Sequence, residues 1–241
     1  MTQGGISPDD DACDIDPVQP TPIRERRMTE AALLDRPLVL IVDDDAQVRN
    51  SIEELMQSVG IDAQGFSSTH ELMERPLPQR PGCLVLDVRM PGSSGLDLQH
   101  QLAANGDAKS IIFVTGHGDI PMSVQAMKAG AVDFLTKPFR DQTLLDAVSA
   151  GIELDRAQRA EAKQTTQQIK RYETLTARER EVLREVTRGR LNKQIGYDLG
   201  ISEVTVKLHR SSVMRKMHSA SLGELIRGWN LLPLTIRDAA S

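Results

Sequence analysis

Five residues that can do chemistry stand at the ends of short apolar runs: Asp43 and Asp44 after Leu38–Val42, Asp87 after Cys83–Leu86, Thr115 after Ile111–Val114, and Lys137 after Phe134–Thr136. Open parallel sheets bind ligands beyond the carboxyl ends of their strands, so these ends would converge on one crevice although they lie far apart in the chain. Carboxylates, a hydroxyl and an ammonium group gathered in one crevice suit the transfer of a phosphoryl group to a carboxylate. Nucleophile and phosphodonor are both anionic, so a divalent cation must offset their repulsion, while a lysine and a hydroxyl hold the remaining phosphoryl charge. Mg²⁺ fits, as a hard ion that takes a few carboxylates and keeps several waters. Asp44 and Asp87 would be direct ligands, with Asp43 acting through water. Taken singly, an Asp after a strand is most often a helix cap, a Thr there a turn residue, and a Lys a solvated cation. Their joint occurrence at successive strand ends is what points to a site.

The elements that must position these residues are legible over 38–150. Apolar runs at 38–42, 61–66, 83–86, 110–114 and 132–136 alternate with helical patterns at 47–59, 69–74, 96–104, 121–129 and 141–152. Five strands alternating with five helices predict a doubly wound α/β domain around a central parallel sheet. No proline falls between Pro138 and Pro233, so the last helix can run on through 153–171 as a semi-rigid linker; Leu154, Ala157, Ala160 and Ile169 are too sparse for a coiled coil.

At 241 residues, 39% hydrophobic and 26% charged, the chain is long enough for two cores. The longest apolar runs are far too short to span a bilayer, and the first residues lack the basic end and apolar stretch of a signal peptide, so a cytoplasmic protein is expected. Cys13 and Cys83 are too few for a disulfide framework and read as reduced thiols. The net charge of −5 hides an asymmetry. Residues 1–36 carry 4 basic and 8 acidic groups, 37–150 carry 8 and 15, 151–175 carry 5 and 4, and 176–241 carry 12 and 7. An acidic front and a basic back predict a cation site followed by a reader of a polyanion. Residues 1–36, rich in Pro, Asp, Gln and Thr without an apolar period, read as a disordered tail with no assigned function, and Met28 is a second candidate start.

The strings IVDDDAQVR, LDVRMPGSSG, FVTGHGDIPM and DFLTKPF resemble the receiver domain of bacterial two-component response regulators of the NarL/FixJ class. The resemblance covers about 37–150 and implies a CheY-like fold. It implies Asp87 as phosphoacceptor, Asp43 and Asp44 as the acidic pair, Thr115 as switch hydroxyl and Lys137 as the lysine that holds the phosphoryl group. It further implies the backbone carbonyl of Arg89 as a metal ligand, Phe134 as the aromatic that swings inward with the threonine, and a cis Lys137–Pro138 bond. Asp45 stands where many receivers have Glu.

Residues 176–232 carry helix signals with short breaks. Thr176 and Glu179 form a capping-box pattern, Gly189 ends that helix, Asn192 caps the next, Gly200 and Ile201 make a turn, Ser202 caps Glu203–Met217, and Ser221 with Glu224 caps a last helix. Two helices joined by a short glycine turn are a helix-turn-helix. On its second helix Val206, His209, Val213 and Met217 form one stripe, with Val204, Lys207, Leu208, Ser211 and Arg215 opposite. Lys207 and Ser211 suit base edges and Leu208 a thymine methyl; Lys193, Arg210 and Arg215 suit phosphates, and Ser202 and Thr205 complete the candidate DNA set. A solvated face is the plain alternative for each cation. LTAREREVL and LNKQIGYDLGISEVTVKLHRSSVMRKM resemble the LuxR-type four-helix DNA-binding domain over most of 174–232, which implies major-groove binding as a dimer. Gly196 stands where such helices more often carry Ala, an expected softening of up to ~1 kcal/mol.

The expected organisation is a tail at 1–36, a receiver at 37–150, a helical linker at 151–173 and a DNA-binding domain at 174–241. The expected function is a phosphorylation-controlled transcription factor that is no enzyme beyond its own phosphorylation and dephosphorylation. Its expected partners are a sensor histidine kinase, double-stranded promoter DNA, a second copy of the chain once phosphorylated and, as a further candidate, RNA polymerase, but no membrane. One rival is a phosphorylation-independent DNA-binding regulator. Another is an aspartyl-nucleophile phosphohydrolase, which places a second Asp two residues after the nucleophile, where this chain has Arg89.

Overall fold

The computed structural model describes residue 1 and residues 35–105, 109–116 and 118–238; the expectations for the tail and Cys13 lie outside them. Five strands form one parallel sheet: β1 (Leu38–Val42), β2 (Asp62–Phe66), β3 (Gly82–Asp87), β4 (Ser110–Thr115) and β5 (Asp133–Thr136), in the order β2-β1-β3-β4-β5. The runs without polar interruption, β1, β3 and β4, are buried on both faces and sit in the middle, while the mixed sequences of β2 and β5 take the edges. Alternate residues feed two cores. Leu40, Val42, Leu84, Leu86 and Phe113 face α3 (Gly95–Asn105) and α4 (Ile120–Lys128); Val39, Ile41, Val85, Ile112 and Val114 face α1 (Ala46–Ser58) and α5 (Asp141–Glu173). A short helix, α2 (Thr69–Met73), follows β2.

Register decides where the chemistry falls. Val42 pairs with Leu86 and Leu86 with Phe113, so Asp43 and Asp87 emerge side by side at the carboxyl edge. Thr115 pairs with Thr136, which delivers Lys137 next to Thr115; the Lys137 N–H donates to the Thr115 carbonyl at 2.8 Å. The Lys137–Pro138 bond is cis.

The second half is helical: α6 (Ala177–Thr187), α7 (Asn192–Leu199), α8 (Glu203–Lys216), α9 (Leu222–Asn230) and α10 (Leu234–Asp238). Val182, Leu183, Ile195, Val206, Val213, Leu225 and Trp229 form its core. Among the described residues no helix is long and apolar enough to cross a membrane.

Helix α5 continues unbroken for 33 residues, through the proline-free segment expected to stay helical although it lacks apolar periodicity. Three details differ from the sequence reading. Asn192 is not the cap of α7: Leu191 holds that position, and its N–H is taken by the Gln194 side chain at 3.0 Å. An unexpected antiparallel pairing of Arg89–Met90 with Ser93–Ser94 follows Asp87, and α10 extends the second domain beyond four helices.

Candidate functional site

Three acidic groups meet at the carboxyl edge of the sheet. One carboxylate oxygen each from Asp43, Asp44 and Asp87 lies within 4.8 Å of the others, Asp43 and Asp87 buried and Asp44 exposed. Lys137 reaches across, its Nζ 2.5 Å from Asp43 Oδ2 and 3.0 Å from Asp87 Oδ2. The second oxygens are held by backbone: Asp43 Oδ1 accepts the Asp45 N–H at 2.9 Å and Asp87 Oδ1 the Arg89 N–H at 3.1 Å. Asp45, the third carboxylate of the run, is the cap of α1, accepting the N–H of Gln47 and Val48, so its side chain faces the helix.

The electrostatics follow from burial. Desolvation raises the Asp43 carboxyl above its ordinary range, against the hydrogen bonds from Lys137 and the Asp45 backbone, which lower it. For Lys137 desolvation opposes the charge, but hydrogen bonds to Asp43 and Asp87 outweigh it and hold the ammonium above a free lysine. One lysine thus serves two carboxylates, and a third carboxylate stands at the rim. Those hard oxygen donors fit a magnesium ion better than a soft metal.

Thr115 is buried where β4 ends, and Phe134 lies half-buried on the neighbouring strand, its ring centroid 6.2 Å from that of Phe113. Gly118 lies close to both Thr115 and Phe134: a Cβ there would lie 2.8 Å from the Phe134 ring and 3.2 Å from the Thr115 methyl. Sequence reading missed Gly118. Its signal was a glycine three residues beyond the threonine, but the contact exists only once β4 and β5 are paired.

In the helical domain Ser202 caps α8, accepting the Thr205 N–H at 3.1 Å and sharing a hydrogen bond with the Thr205 hydroxyl. Val204, Lys207, Leu208, Ser211 and Arg215 are exposed on one side of α8, while Val206, Val213 and Met217 are buried on the other and His209 is half-buried. Lys207 Nζ lies 3.1 Å from Glu203 Oε1, one turn back. Arg210 gives one arm to Asn192 Oδ1 at 2.6 Å, tying α8 to the start of α7. Lys193 is exposed on α7, and Tyr197, one turn further on the same side and passed over in the sequence reading, is 89% exposed. Gly196 proves to be a packing residue, since a Cβ there would lie 2.8 Å from the Ile201 carbonyl oxygen.

Comparison with known proteins agrees with this division. The family model "Response regulator receiver domain" matches residues 39–149, and "Bacterial regulatory proteins, luxR family" matches residues 173–228. Nodulation protein W of Bradyrhizobium diazoefficiens is 50% identical over 200 residues, covering 83% of this chain and 87% of that protein. The transcriptional regulatory protein FixJ of Azorhizobium caulinodans is 44% identical over 189 residues, covering 78% and 90%. The solved structure of the response regulator StyR superposes with a TM-score of 0.72 at 46% identity over 81% of this chain and 98% of that one. With a receiver fold around an acidic edge, a LuxR-type helical domain and relatives of this identity, the chain belongs to the NarL/FixJ family of response regulators, whose members join a receiver to a DNA-binding domain and regulate transcription.

Proposed function

We propose that Asp87 accepts a phosphoryl group from a sensor histidine kinase and that this event controls DNA binding by the second domain. The observation that carries the reading is Lys137 held between Asp43 and Asp87, at 2.5 and 3.0 Å, on the edge where the three carboxylates converge. An Asp87 carboxylate oxygen forms the new O–P bond while the P–N bond to the donor histidine breaks, the imidazole leaving with the electron pair. Lys137 moves from pairing two carboxylates to pairing the acyl phosphate, and the Thr115 hydroxyl turns toward a phosphoryl oxygen. Asp43, Asp44, Asp87 and the Arg89 carbonyl would hold Mg²⁺, which when bound offsets the charge of nucleophile and donor. An apolar groove of about 510 Å³ beside Lys137, lined by Val48, Ile52, Leu55, Pro138 and Phe139, gives a phosphodonor protein a surface to cover.

Thr115 and Phe134 lie on β4 and β5, next to α4, which exposes Ile120, Val124 and Met127 along one stripe. That stripe, with β5 and α5, is the face through which phosphorylated receivers would pair. Movement of Thr115 vacates space for the Phe134 ring. Shifting such a switch from 1:99 to 99:1 requires roughly 5.5 kcal/mol of differential stabilisation. Pairing then raises the effective concentration of two DNA-binding domains over half-sites about one helical turn apart. Lys207, Leu208 and Ser211 read bases, Ser202, Thr205, Lys193, Arg210 and Arg215 position the domain on phosphates, and the Tyr197 phenol joins Lys193 there. A cytoplasmic location and the absence of turnover beyond the receiver's own phosphorylation and dephosphorylation complete the reading.

The test is labelling by acetyl phosphate with Mg²⁺, followed by sedimentation with and without beryllofluoride. The wild type should incorporate hydroxylamine-labile phosphate and shift toward dimer, and Asp87→Asn should do neither. Undiminished labelling of Asp87→Asn moves the acceptor elsewhere; a wild type that stays monomeric in both states at tens of micromolar, with unchanged DNA affinity, sinks the switch.

A further inference from the structure

Helix α5 belongs to two cores at once. At its receiver end Leu144, Val148 and Ile152 pack under the sheet. One turn further, Asp155 is fully buried: its Oδ2 accepts the Gly82 N–H at 3.0 Å and Arg159 Nε at 2.6 Å, with Lys109 Nζ 3.8 Å away. Lys109 is itself fixed by donating to the Arg80 carbonyl at 2.7 Å. Moving a buried carboxylate off such partners leaves uncompensated charge, so α5 cannot slide or roll on the receiver at this point. At the far end Ile169 and Tyr172, with Leu175 just beyond the helix, join the helical domain's core. The Tyr172 ring lies 6.3 Å from that of Trp229, and the Arg180 guanidinium sits 4.9 Å above it.

Between the two anchors lie residues 160–167, of which all but the half-buried Thr165 are exposed. They remain helical without a packing face, as Ala, Glu, Lys and Gln in that stretch permit. At 1.5 Å and 100° per residue they span about 12 Å and a little over two turns.

We propose that residues 160–167 are a torsional coupler: a two-turn helical bridge, pinned at Asp155 on one side and Tyr172 on the other, that fixes the rotational setting of the DNA-binding domain on the receiver. The signalling role of the coupler rests on the phosphorylation reading above; its rigidity does not. A flexible tether would only set an effective concentration and would be indifferent to helical phase. A pinned helix passes on a receiver rearrangement only while its phase is kept.

Two measurements on the full chain test this. In a Cys13→Ser background, with Cys83 buried and unreactive toward labels, spin labels at Gln57→Cys and Leu222→Cys report the inter-domain distance without any phosphodonor. A single narrow distribution is expected, broadening when 160–167 is replaced by Gly and Ser at equal length; a wild type as broad as that variant overturns the coupler. The second measurement inserts five or seven Ala-based residues after Lys163. Five turn the domain by about 140° and seven by about 20°, although seven lengthen the bridge more. The beryllofluoride-dependent gain in affinity, read on a DNA sequence recovered by binding-site selection, should stay within about twofold with seven and fall about tenfold or more with five. Equal gains in both insertions overturn the coupler. A narrow distance distribution with no beryllofluoride gain in the wild type overturns the phosphorylation reading instead, so the two failures are told apart.

Discussion

The receiver's acidic edge and the exposed side of α8 both concentrate charge, but they do so in opposite ways. Lys137 meets Asp43 across 94 positions of sequence and Asp87 across 50, with the Asp43 side chain only 1% and the lysine 20% exposed. Lys193, Lys207, Ser211 and Arg215 lie within two consecutive helices and face solvent. Where water is excluded, each charge depends on the others, and removing one strands the rest. Where water is present, the effects are small, screened by salt and close to additive. The charges of the receiver edge are therefore coupled to one another, whereas those on the exposed side of α8 act one by one.

The sharpest way to break this contrast is Lys137→Ala. Among the described residues it leaves the buried Asp43 carboxylate with the Asp45 N–H at 2.9 Å as its remaining hydrogen bond. A loss of about 2 to 3 kcal/mol in receiver stability is expected, below the full cost of breaking a buried pair because Lys137 keeps some solvent contact. The beryllofluoride-dependent dimer should disappear while Mg²⁺ binding persists, since the cation acts on the phosphoryl group. Thermal unfolding, metal titration and sedimentation read the three effects; an unchanged dimer shift would remove Lys137 from the mechanism.

A subtler challenge comes from the helical domain's own buried acid. Glu179 is buried, and desolvation would raise its carboxyl, yet Lys216 Nζ at 2.6 Å and the Thr176 N–H at 2.8 Å hold it below the ordinary 4.5. If burial and not domain identity sets the size of an effect, Glu179→Gln should cost about 2 kcal/mol at neutral pH. The sign follows from linkage: a carboxyl lowered by folding contributes stability that is present above its unfolded value and lost as pH falls through the folded one. The deficit of the variant should thus shrink in acid below about pH 4.5. Chemical denaturation at neutral and acid pH checks it, and a pH-independent deficit would assign the effect to the cap alone.

How much of this was readable in advance depends on the range of the interactions. Leu38–Val42 was matched residue for residue because a continuous apolar run between polar residues admits little else. The converging residues were readable because each ends such a run. The tie between Asp155 and Gly82 was not, since it joins groups 73 positions apart and gives a surface-type residue an interior role. Gly118 failed for the same reason. The start of α7 was misplaced by one residue because Gln194 reaches back to the Leu191 N–H, leaving Asn192 free to bind Arg210. The course of α5 through 160–167 carried no periodic signal because the helix is exposed there, and it was legible only from the lack of proline between Pro138 and Pro233.

The smallest effects belong to the exposed cations, and they sharpen the contrast from the other side. Lys207 is already paired with Glu203 at 3.1 Å, but exposed pairs one turn apart are worth only about 0.3 to 0.5 kcal/mol, so DNA can draw the lysine away. Lys207→Ala should then cost about 1 to 3 kcal/mol on the selected sequence and little on random DNA, because a base contact is lost only where that base is present. Lys193→Ala should weaken binding to both alike and reduce the slope of log affinity against log salt by about one unit, the signature of one released counterion. Tyr197→Phe should leave that slope unchanged, since a phenol carries no charge, while still weakening both DNAs slightly if its hydroxyl meets a phosphate. Anisotropy titrations over a range of salt separate the three. Equal losses on selected and random DNA from Lys207→Ala and Lys193→Ala alike would mean that the exposed side of α8 reads no bases and that specificity arises elsewhere in the domain.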